Sequence, residues 1–135
     1  MSSVNRIAYL CCELKARDLE SRMLVAAHLV KSGWAVIIGQ FWGLMANAAT
    51  SPKGCYLFTT ANRFQADAME LCRRHGHVVI AQDEEALPFD GDRLLDNIDS
   101  NALRNANVFL AQSDDHAAVV KQKYAFEPVK TAGSA

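Results

Sequence analysis

Short apolar runs alternate along this chain with stretches whose apolar positions fall every three or four residues. "RIAYLCCE" (6–13) predicts a strand that ends in charge. "DLESRMLVAAHLVKSG" (18–33) predicts a helix, with Leu19, Met23, Ala26, Ala27 and Val30 at helical spacing and Gly33 as its stop. "WAVIIG" (34–39) predicts a buried strand, and "QFWGLMANAATSP" (40–52) a weaker helix closed by Pro52. "GCYLFTT" (54–60) predicts a third strand, and "NRFQADAMELCRRHG" (62–76) a helix with Asn62 as N-cap and Gly76 as stop. "HVVIAQDEE" (77–85) predicts a fourth strand, "LPFDGDR" (87–93) a loop and "LLDNIDSNALRNA" (94–106) a helix or broken helix. "NVFLAQS" (107–113) predicts a fifth strand and "DDHAAVVKQKYA" (114–125) a helix with acidic residues at its start, where the macrodipole favours them. "EPVKTAG" (127–133) predicts a sixth strand.

Strands alternating with helices imply right-handed βαβ units and a parallel sheet. The strands read as unbroken apolar runs, the pattern of a sheet covered on both faces. The expected fold is therefore α/β: a Rossmann-like, doubly wound parallel sheet of about six strands with helices on both faces. One domain, 1–135, accounts for the chain, which shows no repeat, linker or low-complexity segment.

Composition narrows the function classes. Of the 135 residues, 50% are hydrophobic and 21% charged, and the net charge is -1, which argues against a nucleic-acid surface. No apolar stretch approaches the roughly 20 residues of a membrane span, and no signal peptide is legible. Cys11, Cys12, Cys55 and Cys72 form no C-x-x-C pair. Reduced, mostly buried thiols of a cytoplasmic protein are expected, and no metal site is expected from His28, His75, His77 and His116.

Candidate chemistry follows from the fold. In open α/β sheets, ligands bind beyond the carboxyl ends of the strands, near the switch in strand order. That rule selects the segments 13–17, 39–42, 59–62, 83–85, 113–116 and 133–134. In the first, "ELKARDLESR" gathers Glu13, Lys15, Arg17, Asp18, Glu20 and Arg22. Asp18 and Glu20 suit a helix start, and Arg17 and Arg22 suit pairing with Glu13 or Glu20. The same cluster suits a binding rim that also pairs internally, with Glu13 the most informative member. In "AQDEEALPF", Asp83, Glu84 and Glu85 are either solvated loop acids or carboxylates that orient hydroxyls and serve as a general base. Phe41 and Trp42 are either core aromatics or a stacking surface for a sugar. His116 is expected as an exposed helix residue, with an acid/base role as the alternative.

The dinucleotide fingerprint G-x-G-x-x-G, the P-loop and the G-x-S-x-G elbow are all missing from the sequence. The third strand ends "FTT", without the phosphoacceptor aspartate of a receiver domain. The pattern E-x-K-x-R-[DE]-L-x-[SA]-[RK] after the first strand, D-E-E-[AG] after the fourth and the closing "VKTAGSA" resemble the N-terminal part of the bacterial surface carbohydrate biosynthesis proteins. These are similar to two-domain GT-B-type glycosyltransferases. Residues 112–113 read Gln-Ser where that family often carries Trp-Gly.

The resemblance implies an acceptor-side domain, inactive alone, that works with a C-terminal nucleotide-sugar domain or a partner subunit. It implies transfer from a nucleotide sugar, the co-substrate, to a glycan or lipid-linked glycan acceptor, with no cofactor in this domain. The implied location is cytoplasmic or peripheral at the inner membrane, with no transmembrane segment and no nucleic-acid partner. Carried onto this sequence, the matched positions are Glu13, Lys15, Arg17, Asp18, Arg22, Asp83, Glu84 and Glu85. Glu13 and Glu84 are the candidate catalytic carboxylates, and Lys15 and Arg17 would face phosphate. The alternatives are a nucleotide-sugar epimerase-like domain and a stand-alone ligand- or partner-binding domain without catalysis.

Overall fold

A computed structural model describes residues 6–13, 15–82 and 98–131, the side chains of 15–17 excepted. The described elements are β1 (Ile7–Cys12), α1 (Lys15–Lys31), β2 (Ala35–Gln40), α2 (Phe41–Ala46), β3 (Cys55–Phe58), a 3-10 turn (Arg63–Gln65), α3 (Ala66–Arg74), β4 (Val78–Gln82), α4 (Ser100–Arg104), β5 (Val108–Ala111), α5 (Asp114–Tyr124) and β6 (Val129–Thr131). The six strands form one parallel sheet in the order β2-β1-β3-β4-β5-β6. The α/β, Rossmann-like class expected from the alternation is the class observed.

The order fixes the switch point. The chain leaves β1 for β2 on one side and returns to β3 on the other, so the crevice opens where the ends of β1 and β3 diverge. Right-handed crossovers then place α1 on one face of the sheet and α2 to α5 on the other. The core lies on the second face. There Tyr9, Tyr56, Phe58, Val79 and Phe109 pack against Met45, Met69, Leu103 and Val120 from the four helices. On the α1 face β3 and β5 are half-buried at every second residue, so the unbroken apolar runs overstate how fully that side is covered.

Local signals explain most boundaries. Asn62 Oδ1 accepts from Gln65 N at 3.1 Å, Asp99 Oδ2 from Ala102 N at 3.1 Å and Ser113 Oγ from His116 N at 3.1 Å, each capping a helix start. Gly33 and Gly76 adopt φ of 92° and 85° and end α1 and α3 as glycine readily does. Residues 94–97 of the expected helix and 83–85 of the expected strand lie outside the described residues.

Two expectations need correction. The helix of 40–52 closes after Ala46, because Asn47 turns the chain. Its side-chain amide donates to the Gly43 carbonyl at 2.8 Å, and its own carbonyl accepts from Ser51 N at 2.8 Å. The stripe read into α1 is also out of phase. Met23 and Val30 are 57% and 58% exposed, whereas Asp18 and Arg22 are buried at 2% and 0%. That helix is apolar on most sides, so periodicity alone does not fix which side turns inward. Two charged side chains that bind the end of β1 do.

Candidate functional site

The end of β1 is tied down by those two charges. Arg22 donates through Nε to the Cys11 carbonyl at 3.1 Å, and Asp18 Oδ2 accepts from the Glu13 amide at 3.1 Å. Asp18 and Arg22 thus serve the backbone of the strand end, and neither lines the neighbouring cleft. Their effect is to hold Glu13 where β1 stops. The Glu13 side chain is exposed, and one carboxylate oxygen accepts from Gln65 Nε2.

A cleft of about 470 Å³ opens at this point, lined by Glu13, Gln40, Phe41, Trp42, Asn62, Phe64 and Gln65. Its walls come from the ends of β1, β2 and β3, which is where strand order predicts a ligand. Phe41 is buried and meets Phe58 edge-on at 6.2 Å. Trp42 stands edge-on to Phe41 at 5.0 Å, with 74% of its surface exposed. Phe64 is 82% exposed, and the Arg63 guanidinium lies 5.5 Å from its ring centre. The cleft therefore combines a carboxylate, three side-chain amides and two uncovered aromatic rings. Such a wall can stack on the apolar face of a ring while the acceptors take its hydroxyls.

Of the residues selected from sequence, Glu13, Phe41 and Trp42 come together. Phe41 proves to be the core aromatic and Trp42 the exposed one. Lys15 and Arg17 fall in the first turn of α1, just past Glu13, and their side chains lie outside the described residues. Asp83, Glu84 and Glu85 lie outside them entirely.

His116 corrects its expectation. It is 1% exposed, its Nδ1 accepts from Gln112 N at 3.2 Å, and its ring stands edge-on to Phe109 at 5.6 Å. It packs under α5 and does not line the cleft. Burial holds its pKa below the ordinary 6.5. The unfolded chain therefore takes up this proton first as pH falls, and stability is lost from about pH 6.5 downward, until the folded-state pKa is passed. Urea midpoints between about pH 7.5 and pH 5.5 should fall for the wild type, and His116→Asn should lack that component. Equal pH slopes for the two proteins would contradict it.

Gln65 and Phe64 were not singled out from sequence. Gln65 carries a signal: it precedes Met69 and Cys72 on the stripe that α3 buries, so a polar group stands in core register. Phe64 carries none beyond its neighbour Asn62.

The thiols stay outside the chemistry. All four are free, and burial pushes Cys11 and Cys72 up to about 12 and Cys55 up to about 11. His77 ties the α2–β3 connection by accepting from Gly54 N at 3.1 Å and donating to the Ala48 carbonyl at 2.7 Å. Among the described residues no three His, Cys, Asp or Glu side chains converge as metal ligands, and no helix is long and apolar enough to cross a membrane. Comparisons with family models, curated proteins and solved structures found no match to this chain.

Proposed function

We propose that this chain is the acceptor-side domain of a glycosyltransferase-like protein of surface polysaccharide synthesis, and that its switch-point cleft binds the acceptor saccharide. The observation that carries the reading is an exposed carboxylate, Glu13, braced by a buried amide and flanked by two solvent-facing aromatic rings. A pyranose offers the complement: a C–H face for Trp42 and Phe64 and hydroxyls for Glu13. In this reading Glu13 takes the proton of the attacking hydroxyl. The acceptor oxygen bonds to the anomeric carbon of the donor, and the bond from that carbon to the nucleotide diphosphate breaks with its electron pair on the phosphate. The nucleotide sugar is held by a second domain or a partner subunit. An epimerase-like protein would act on the nucleotide sugar without an acceptor, and a pure binding domain would hold the saccharide without transfer.

The direct test uses Trp42 as its own probe. In a Trp34→Phe background, the methyl glycosides of glucose, mannose and galactose are titrated while Trp42 emission is followed. The reading expects a saturable change with at least one of them. Trp42→Ala, followed by calorimetry, should weaken that binding about five- to tenfold, the contribution of one stacking aromatic. Flat titrations throughout would overturn the reading.

A further inference from the structure

The face of the sheet that carries α1 is only partly roofed. Residues paired in register share a face, and Leu10, Leu57, Ile80 and Val108 form one row across β1, β3, β4 and β5. Leu10 alternates with Tyr9 and Cys11 of the core cluster, so this row lies on the α1 side. α1 packs on β1 and β2, and Leu10 beneath it is 1% exposed. Further along the row the cover thins. Leu57, Ile80 and Val108 are half-buried, as is Leu110, two residues on, while Val78 on the same side is 47% exposed. These side chains form an apolar strip two strand spacings wide, about 10 Å, which is the width of one helix. The outer side of α1 is apolar as well. Met23, Leu24, Ala27 and Val30 recur there at helical spacing, all exposed. A helix that is apolar on most sides belongs between two layers, and its own sheet supplies one of them.

We propose that this face is a two-fold interface between two copies of the chain, in which α1 of each copy lies on the open strip of the other. Each copy carries both halves of the fit, a helical ridge beside a strip of matching width, as a self-complementary contact requires. The axis that achieves this runs parallel to the strands, so heights along the strands are the same in both copies. Charge agrees with that geometry. Arg22 reaches the Cys11 carbonyl and Asp18 the Glu13 amide, so the exposed Glu20 between them stands near the height of Cys12. Cys12 is two positions beyond the Leu10 row. Lys130, exposed at the border of the strip, pairs with Leu110 and is also two positions beyond it. Glu20 of one copy therefore comes level with Lys130 of the other. At the opposite end Val30, one turn before β2, comes level with Val78. A helix of 17 residues is about 25 Å long, and two such ridges on two strips bury on the order of 1,000 Å², which a specific interface needs. Trp42 stays uncovered, since α2 lies on the other face, so the proposal stands apart from the saccharide reading.

Sedimentation equilibrium of the protein at micromolar concentrations tests it, and the expected result is twice the mass of one chain with no larger species. Val30→Glu and Val78→Lys alter positions that are 58% and 47% exposed, so the fold should hold, which circular dichroism checks. Each alone should weaken self-association at least about a hundredfold, because the buried charge enters the dimer twice. Mixed together, the two variants should recover a two-copy species: one ridge-on-strip contact pairs the introduced charges, and the other is unaltered. A protein of single-chain mass overturns the proposal and leaves the apolar face to another partner. A dimer that neither substitution weakens overturns it by placing the contact elsewhere. A mixture that stays dissociated while the parent protein is a dimer overturns it too. Where either variant does not fold, the reversals Glu20→Lys and Lys130→Glu decide. Each alone should weaken the dimer several-fold and both in one chain should restore it, and a failure to restore it overturns the arrangement.

Discussion

If the proposed transfer reaction is this protein's activity, turnover by the protein carrying Glu13→Gln is expected to fall about 10²- to 10⁴-fold, the usual contribution of a positioned general base. The measurement is the initial rate of transfer from nucleotide sugar to saccharide, with the donor-holding domain or subunit present. The substitution is chosen because it preserves geometry. A glutamine at 13 still offers an oxygen to Gln65 Nε2, and its backbone amide still donates to Asp18. Stability should stay within about 0.5 kcal/mol, since the side chain is exposed. Saccharide affinity should change far less than turnover, because an amide oxygen still accepts from a hydroxyl while its nitrogen takes no proton. An unchanged rate would remove Glu13 as the base. A loss of affinity with turnover intact would make Glu13 an anchor for the ligand, and a base would have to come from elsewhere in the protein.

The placement of Glu13 was legible in the sequence because two simple signals coincide there. An apolar run ends in charge, and the fold class sends ligands to strand ends. The same logic reached Gln40, Trp42 and Asn62. It did not reach the inner side of α1. Met23 and Val30 look like part of a core stripe, yet they face outward, while the charges of Asp18 and Arg22 turn in. Their burial is offset in part by backbone groups at and just past the end of β1, the Cys11 carbonyl and the Glu13 amide, and no local pattern announces a partner that lies across a loop. Gln65 failed to stand out for a related reason. A polar residue in core register reads as an imperfection of an amphipathic helix until its partner, Glu13, is seen 52 positions away. His116 misled in the other direction, since a residue beside two aspartates at a helix start looks solvated, yet its ring turns in against Phe109.

Phe58→Ala is expected to cost about 3–5 kcal/mol, the range for removing a buried phenylalanine. Phe58 ends β3, is 0% exposed and belongs to the core cluster, so its removal leaves a hole among buried side chains. Against a total stability of about 5–15 kcal/mol, the loss should lower the melting temperature by roughly 10–20 °C. Calorimetric melts measure it, and a shift of a few degrees would mean the core refills the hole. The effect should not stop at stability. Phe58 is the edge-on support of Phe41, and Phe41 in turn supports Trp42. At temperatures where the variant is folded, saccharide binding should weaken because the aromatic wall has lost its backing. Phe64→Ala is the contrast: it removes the same ring from a residue that is 82% exposed. Stability should hold within about 0.5 kcal/mol while binding falls about five- to tenfold. Phe58 backs Phe41 from within the core and Phe64 lines the cleft from solvent, so separate losses, fold with one and ligand with the other, are what a cleft built on a packed core requires.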